Sequence, residues 1–136
     1  MNRIQAQKIV ERIQNIPLYL HAYAFHLNMR MEKILPEGLL DIASEQKLKG
    51  VKVHVLDGES QSLSCADDAR LQKFGEKAHS LGLDVHIETS ASDAETIDTA
   101  VAIALKSGAS SVRFYPRYEG HLAEVLAQVK QDIQYI

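Results

Sequence analysis

The chain has a single cysteine, Cys65, in 136 residues, so no internal disulfide can staple it and a reducing, cytoplasmic setting is expected. It has no basic excess either: 15 Lys and Arg stand against 18 Asp and Glu, a net charge of -3. Neutralisation of phosphates dominates nucleic-acid affinity, so nucleic acid is not an expected partner. No apolar run approaches the ~20 residues that span a bilayer, and the opening "MNRIQAQKIVERIQ" is polar where a signal peptide needs an apolar core. Neither a membrane nor secretion is expected. P-loop, dinucleotide fingerprint, serine elbow and zinc-finger spacings are also missing. What is there is a chain 46% hydrophobic and 24% charged, the size of one globular domain over 1–136.

Periodicity divides that domain into repeating units. Ile4, Ile9, Val10, Ile13 and Ile16 predict a leading helix over Asn2 to Asn15, stopped by Pro17. "LYLHAYAF" predicts a strand and "HLNMRMEKIL" a loop, before Pro36 opens a helix carrying Leu39, Leu40, Ile42 and Ala43 that Gly50 ends. "VKVHVL" predicts a second strand and "DGESQSL" a loop. A helix capped by Ser64, with Asp67 in its first turn, carries Leu71, Phe74, Ala78 and Leu81 inward and stops at Gly82. "LDVHIETS" predicts the third strand, and Ser92 with Glu95 a capping box for a helix that packs through Ile97, Val101, Ala104 and Leu105 and ends at Gly108. "SSVRFYP" predicts the fourth strand, and a last helix from about His121 carries Leu122, Val125, Leu126, Val129 and Ile133 on one stripe.

A leading helix followed by four strand-helix units predicts an α/β fold with a parallel sheet and right-handed crossovers. His21, His54, His86 and Arg113 are spaced by 33, 32 and 27 residues and are taken as equivalent mid-strand positions. Strand phase then sets the faces. Val51, Val53, Val55, Val85, Ile87, Val112 and Phe114 fall on the helix side. Tyr19, His21, Tyr23, Phe25, Lys52, His54, Leu56, Asp84, His86, Glu88, Ser111, Arg113 and Tyr115 fall opposite. Covering that polar face with helices would cost a few kcal/mol per unpaired group, whereas a barrel interior open at one end would not. The expectation is a barrel interior open at one end, with Glu88 and Tyr115 at the mouth as in a (β/α)8 barrel.

The segments "LHAYAFHLNM", "EGLLDIASEQKLKGVKVHVLDGES", "DDARLQKFGEKAHSLGLDVHIETS" and "TAVAIALKSGASSVRFYPR" resemble, in order and spacing, the N-terminal half of the xylose isomerase-like TIM barrels. That superfamily comprises sugar phosphate isomerases and epimerases and includes endonuclease IV. The resemblance covers Leu18 to the end and implies a (β/α)4 half-barrel that belongs to a longer barrel. It also implies a divalent metal (Mn, Mg or Zn) in a complete barrel, held largely by later strands, so no metal ligand is assigned within this chain. Relatives often carry an acid in the second strand, within the segment that here reads "GVKV", where Lys52 stands instead.

What the resemblance implies is action on a small sugar, sugar phosphate or sugar acid by metal-assisted proton transfer, as in isomerases and epimerases. A dehydratase or lyase of the same barrel type is an alternative, since one enolate serves both. Glu88 is the candidate acid-base group, against a reading in which it is an interior residue satisfied by its neighbours. Tyr23, His26, His54, His86, Arg113, Tyr115 and Arg117 are candidate substrate-binding residues. His54 and His86, taken to lie at one height, are expected to form a structural network rather than a metal site, because two histidines are too few. Arg113 and Arg117 can hold a phosphate or carboxylate by forked hydrogen bonds, though Arg117 also suits a solvated loop, and Arg113 is expected to pair with Glu88 or Asp84. Met29 and Met31 are expected to pack, His79 and His121 to be exposed, and Cys65 to be uninvolved in catalysis. From another class comes a non-catalytic half-barrel that binds itself, as a homodimer, or a partner through open strand edges. The last helix running into the terminus favours a missing C-terminal half.

Overall fold

Val51, Val53, Val85 and Ile87 are all buried on one face of the sheet, against Leu39, Leu40, Leu71, Phe74, Ala100 and Ile103 of three helices. Each fully buried large side chain among them contributes about 1.5–3 kcal/mol of transfer free energy, and this layer holds the fold together. The computed structural model describes residues 3–55, 61–115 and 118–135. In chain order the elements are α1 (Arg3–Gln14), β1 (Tyr19–His21), a 3-10 turn (Ala22–Phe25), α2 (His26–Arg30), α3 (Pro36–Glu45), β2 (Gly50–His54) and a 3-10 turn (Leu63–Cys65). There follow α4 (Asp68–Ser80), β3 (Asp84–Thr89), α5 (Ala94–Ser107), β4 (Ser111–Phe114) and α6 (Leu122–Tyr135). The fold is α/β, with a four-stranded, all-parallel sheet in the order β1-β2-β3-β4 and helices between the strands, a half (β/α) arrangement. Among the described residues no helix is long and apolar enough to cross a membrane.

The first strand is shorter than its pattern predicts. The imidazole of His21 accepts the backbone N–H of Tyr23, and this local bond turns the chain into the 3-10 turn instead of continuing the ladder. Tyr23 and Phe25 therefore leave the sheet, and the expected loop after them contains α2. Gly50 opens β2 rather than closing the preceding unit; a Cβ there would collide with the carbonyl oxygen of Asp84, its partner on β3. Leu56 lies outside the described residues.

Two caps differ from expectation. Asp67, not Ser64, caps α4 by accepting the N–H of Arg70 at 2.8 Å, while Ser64 sits in the preceding 3-10 turn. Asp93 caps α5 through the N–H and hydroxyl of Thr96, at 3.0 and 2.8 Å, in place of a Ser92–Glu95 box. At α5 the carboxylate one residue nearer the helix wins because it accepts both groups of Thr96 at once. Gly82 and Gly108 do end their helices with positive φ, 67° and 66°.

The buried face of α5 is also rotated. Ile97, Ala100, Ile103 and Ala104 are buried, whereas Leu105 is 79% exposed and Val101 is exposed too. The cause is the close crossing of α4, where Gly75 sits against the carbonyl of Ser107 and small residues are needed. Leu81 and Met31, expected to pack, are likewise exposed, while Met29 is buried. The predicted stripe of α6 is not covered among the described residues: Leu122 is 73% and Ile133 68% exposed.

Register corrects one further expectation. The ladder places His21, Lys52, His86 and Ser111 at one level, and His54, Glu88 and Arg113 at the next. His54 is therefore level with Glu88, not with His86. Within the paired strands the faces come out as expected, because a slip of two residues preserves strand parity and leaves no trace in the alternation.

Candidate functional site

Four chemically active side chains stand at the carboxyl ends of the four strands. His21 and His54 are the last residues of β1 and β2, and Glu88 and Arg113 are the next-to-last of β3 and β4. All lie on the face away from α3, α4 and α5.

Glu88 is the centre of this group and is fully buried. Its Oε2 lies 2.7 Å from Nε2 of His21, and its Oε1 accepts from Nη1 of Arg113 at 3.3 Å. His21 belongs to β1 and Glu88 to β3, so the two meet in front of β2. Side chains two strands apart, with backbones about 9–10 Å apart in a flat sheet, meet this closely when the sheet curls toward them. A second pair spans the same gap one layer lower, where the Tyr19 hydroxyl donates to Asp84 at 3.0 Å. Desolvation, with the hydrogen bond and charge of Asp84, pushes the Tyr19 phenol above its usual range.

Aromatic rings border the buried carboxylate. His54 is stacked with Tyr115 at a centroid separation of 6.2 Å, and the guanidinium of Arg113 lies 4.2 Å from the centre of the Tyr115 ring. Tyr23 and His26, delivered by the 3-10 turn and the start of α2, stack on each other at 4.9 Å, with Nδ1 of His26 against the carbonyl of Tyr23. Tyr23 is 59% exposed. These rings offer flat apolar surface beside polar edges, the surface that a ring-shaped polyol fits.

The structure thus gathers Tyr23, His26, His54, Glu88, Arg113 and Tyr115. His86 lies one level deeper, edge-to-face with Tyr19 at 4.8 Å and with its Nδ1 against the hydroxyl of Ser111, while its Nε2 has no hydrogen-bond partner among the described residues. Arg117 lies outside the described residues. Of the two partners expected for Arg113, the structure gives Glu88. His21 is the group that strand phase placed on the correct face without assigning it a role. Its position in phase with His54 and Glu88 was visible, but its reach across β2 was not.

Among the described residues, no group of three or more His, Cys, Asp or Glu side chains is placed to hold a metal ion. The described residues by themselves therefore do not fit the divalent metal implied by the resemblance. A cleft of about 510 Å³ lies elsewhere, around Gly75 and Ser107 between α4 and α5.

No family model matches the chain. The chain is 66% identical over 131 residues to the uncharacterized protein YihM of Escherichia coli (strain K12). That match covers 96% of this chain and 40% of YihM, so the chain spans about two fifths of the length of this relative.

Proposed function

We propose that this chain provides one half of a sugar-handling site of the xylose isomerase-like barrel type, acting on a small sugar, sugar phosphate or sugar acid through isomerase- or epimerase-like proton transfer. The observation that carries this reading is the set of His21, His54, Glu88 and Arg113 at the carboxyl ends of four consecutive parallel strands, on a face that curls inward. In this reading Tyr23, His26, His54 and Tyr115 pack against the ligand ring, and Arg113, half exposed, holds a carboxylate or phosphate with its remaining N–H groups. Glu88 accepts from Arg113 through Oε1 and faces Nε2 of His21 with Oε2, so its part in proton transfer runs through the groups it touches. A dehydratase or lyase remains the neighbouring reading, because abstraction of the same proton serves both reactions. A cytoplasmic site of action belongs to this reading and is supported by the single cysteine.

The second reading is a half-barrel whose role is association with its own kind or with a covering segment. It is favoured by the exposed apolar stripes of α1 and α6 and by β1 and β4 each carrying an edge unpaired among the described residues. The larger size of YihM supports a covering segment within a longer chain.

Titrating isotope-labelled protein with a panel of aldoses, ketoses, their phosphates and sugar acids separates these readings. The first expects ring signals of Tyr23, His54 and Tyr115 to move for one chemical class, and deuterium from heavy water to enter that sugar next to its carbonyl in the longer protein. Unmoved ring signals with a concentration-dependent mass support the second.

A further inference from the structure

The turn after β1 carries Tyr23 and leads into His26, and a single imidazole caps it. We propose that His21 is the positioning residue of this face: Glu88 fixes its tautomer, and through that tautomer fixes where Tyr23 and His26 stand over the strand ends.

A neutral imidazole has one N–H and one lone-pair nitrogen. Nδ1 of His21 accepts the backbone N–H of Tyr23 at 3.2 Å, so the proton sits on Nε2. Nε2 lies 2.7 Å from Oε2 of Glu88, so the protonated nitrogen faces the carboxylate in a charge contact. The opposite tautomer sets an N–H against the N–H of Tyr23 and a lone pair against the carboxylate, so both contacts become repulsive at once. Arg113 holds the other carboxylate oxygen from β4. A continuous series of polar contacts therefore runs from Arg113 through Glu88 and His21 to the amide of Tyr23, joining three strands to one turn.

A second proton on His21 goes to Nδ1 and converts that acceptor into a donor. The Tyr23 N–H then loses its partner and the turn loses its cap. The ionisable and charged groups facing His21 are Glu88 from β3, His54 and, at its own level, Lys52 from β2, and Tyr23 from the turn, with Arg113 acting through Glu88. The placement of the Tyr23–His26 pair is thereby tied to the protonation of His21. This goes beyond the sugar reading and holds whatever ligand the face receives.

Nitrogen-15 imidazole NMR on this chain tests it. The expected result is His21 with a protonated Nε2 and a bare Nδ1 at neutral pH, and acid titration that moves the Tyr23 amide and His26 ring signals with the midpoint of His21. His21→Asn supplies a capping oxygen that does not titrate, so it preserves protection of the Tyr23 amide and abolishes the acid response. His21→Ala removes the cap and raises exchange at that amide roughly fivefold, the effect of losing about 1 kcal/mol. Glu88→Ala is expected to let both tautomers coexist. A proton found on Nδ1, a Tyr23 amide indifferent to the titration of His21, or an unchanged tautomer in Glu88→Ala overturns the proposal. Should Glu88→Ala not fold, the tautomer and titration of the unsubstituted chain decide.

Discussion

Nε2 of His21, on the edge strand β1, lies 2.7 Å from Oε2 of Glu88, on β3, and the contact passes in front of β2. It joins a side chain that reaches solvent to one that is fully buried, and it makes the curl of the sheet a condition of the site.

Replacing Glu88 by alanine removes the carboxylate that contacts both His21 and Arg113 and leaves a cavity in its place. Because both partners retain access to water, the cost is at the low end for a broken buried ion pair, about 2 kcal/mol. Glutamine offers one oxygen and one NH2, so it satisfies His21 or Arg113 but not both, and should cost about half as much. Urea unfolding of both variants checks the order; equal stabilities would contradict it.

Glu37 of α3 receives a forked hydrogen bond from Arg70 of α4, Nε to Oε1 at 2.7 Å and Nη2 to Oε2 at 3.1 Å. Burial pushes this carboxyl up, but Arg70, its own backbone amide and the charge of Lys77 outweigh burial and hold it below its usual range. A carboxyl with a depressed folded-state pKa stabilises the protein above its ordinary value of 4.5 and loses that contribution as pH falls through the folded value. Glu37→Gln should therefore cost about 1 kcal/mol at pH 7, and the gap to the unsubstituted protein should narrow on acidification below about 4.5. Thermal unfolding from pH 7 to pH 3 measures it, and a gap that widens in acid contradicts the assignment.

Gly75 marks the crossing of α4 and α5, where a Cβ would collide with the backbone carbonyl of Ser107. Backbone on the opposing helix cannot rotate away as a side chain can. Alanine at 75, although a better helix former, should destabilise by about 2 kcal/mol by forcing the helices apart. A stability equal to or above that of the glycine form would show that the crossing is loose.

The uncovered stripes of α1 and α6 predict association through apolar surface. Val10→Lys with Ile13→Glu on α1, or Leu122→Glu with Leu126→Lys on α6, removes exposed hydrophobic groups without touching the buried layer. Sedimentation velocity should show a smaller average mass for these variants at high concentration, with unchanged unfolding midpoints.

The alternation of valines in 51–55, the glycine stops at 82 and 108 and the regular strand-helix order were legible in the chain, because they are local and repeat with the periods of strand and helix. Strand parity was legible too, and it put His21, His54, Glu88 and Arg113 on one face. Which of them share a level was not. Parallel strands shifted by two residues show the same alternation, so only the hydrogen-bond ladder decides that Glu88 stands beside His54 and that His86 lies below. The exposed Leu105 and the buried Ile103 follow from the approach of α4 at Gly75, a contact between distant segments. The end of β1 at His21 depended on one side chain accepting a nearby amide against the pull of strand propensity. The contact of His21 with Glu88 needed the curl of the whole sheet, which no window of sequence contains, because curvature arises only when strands from separate units pair and helices cover one side of them.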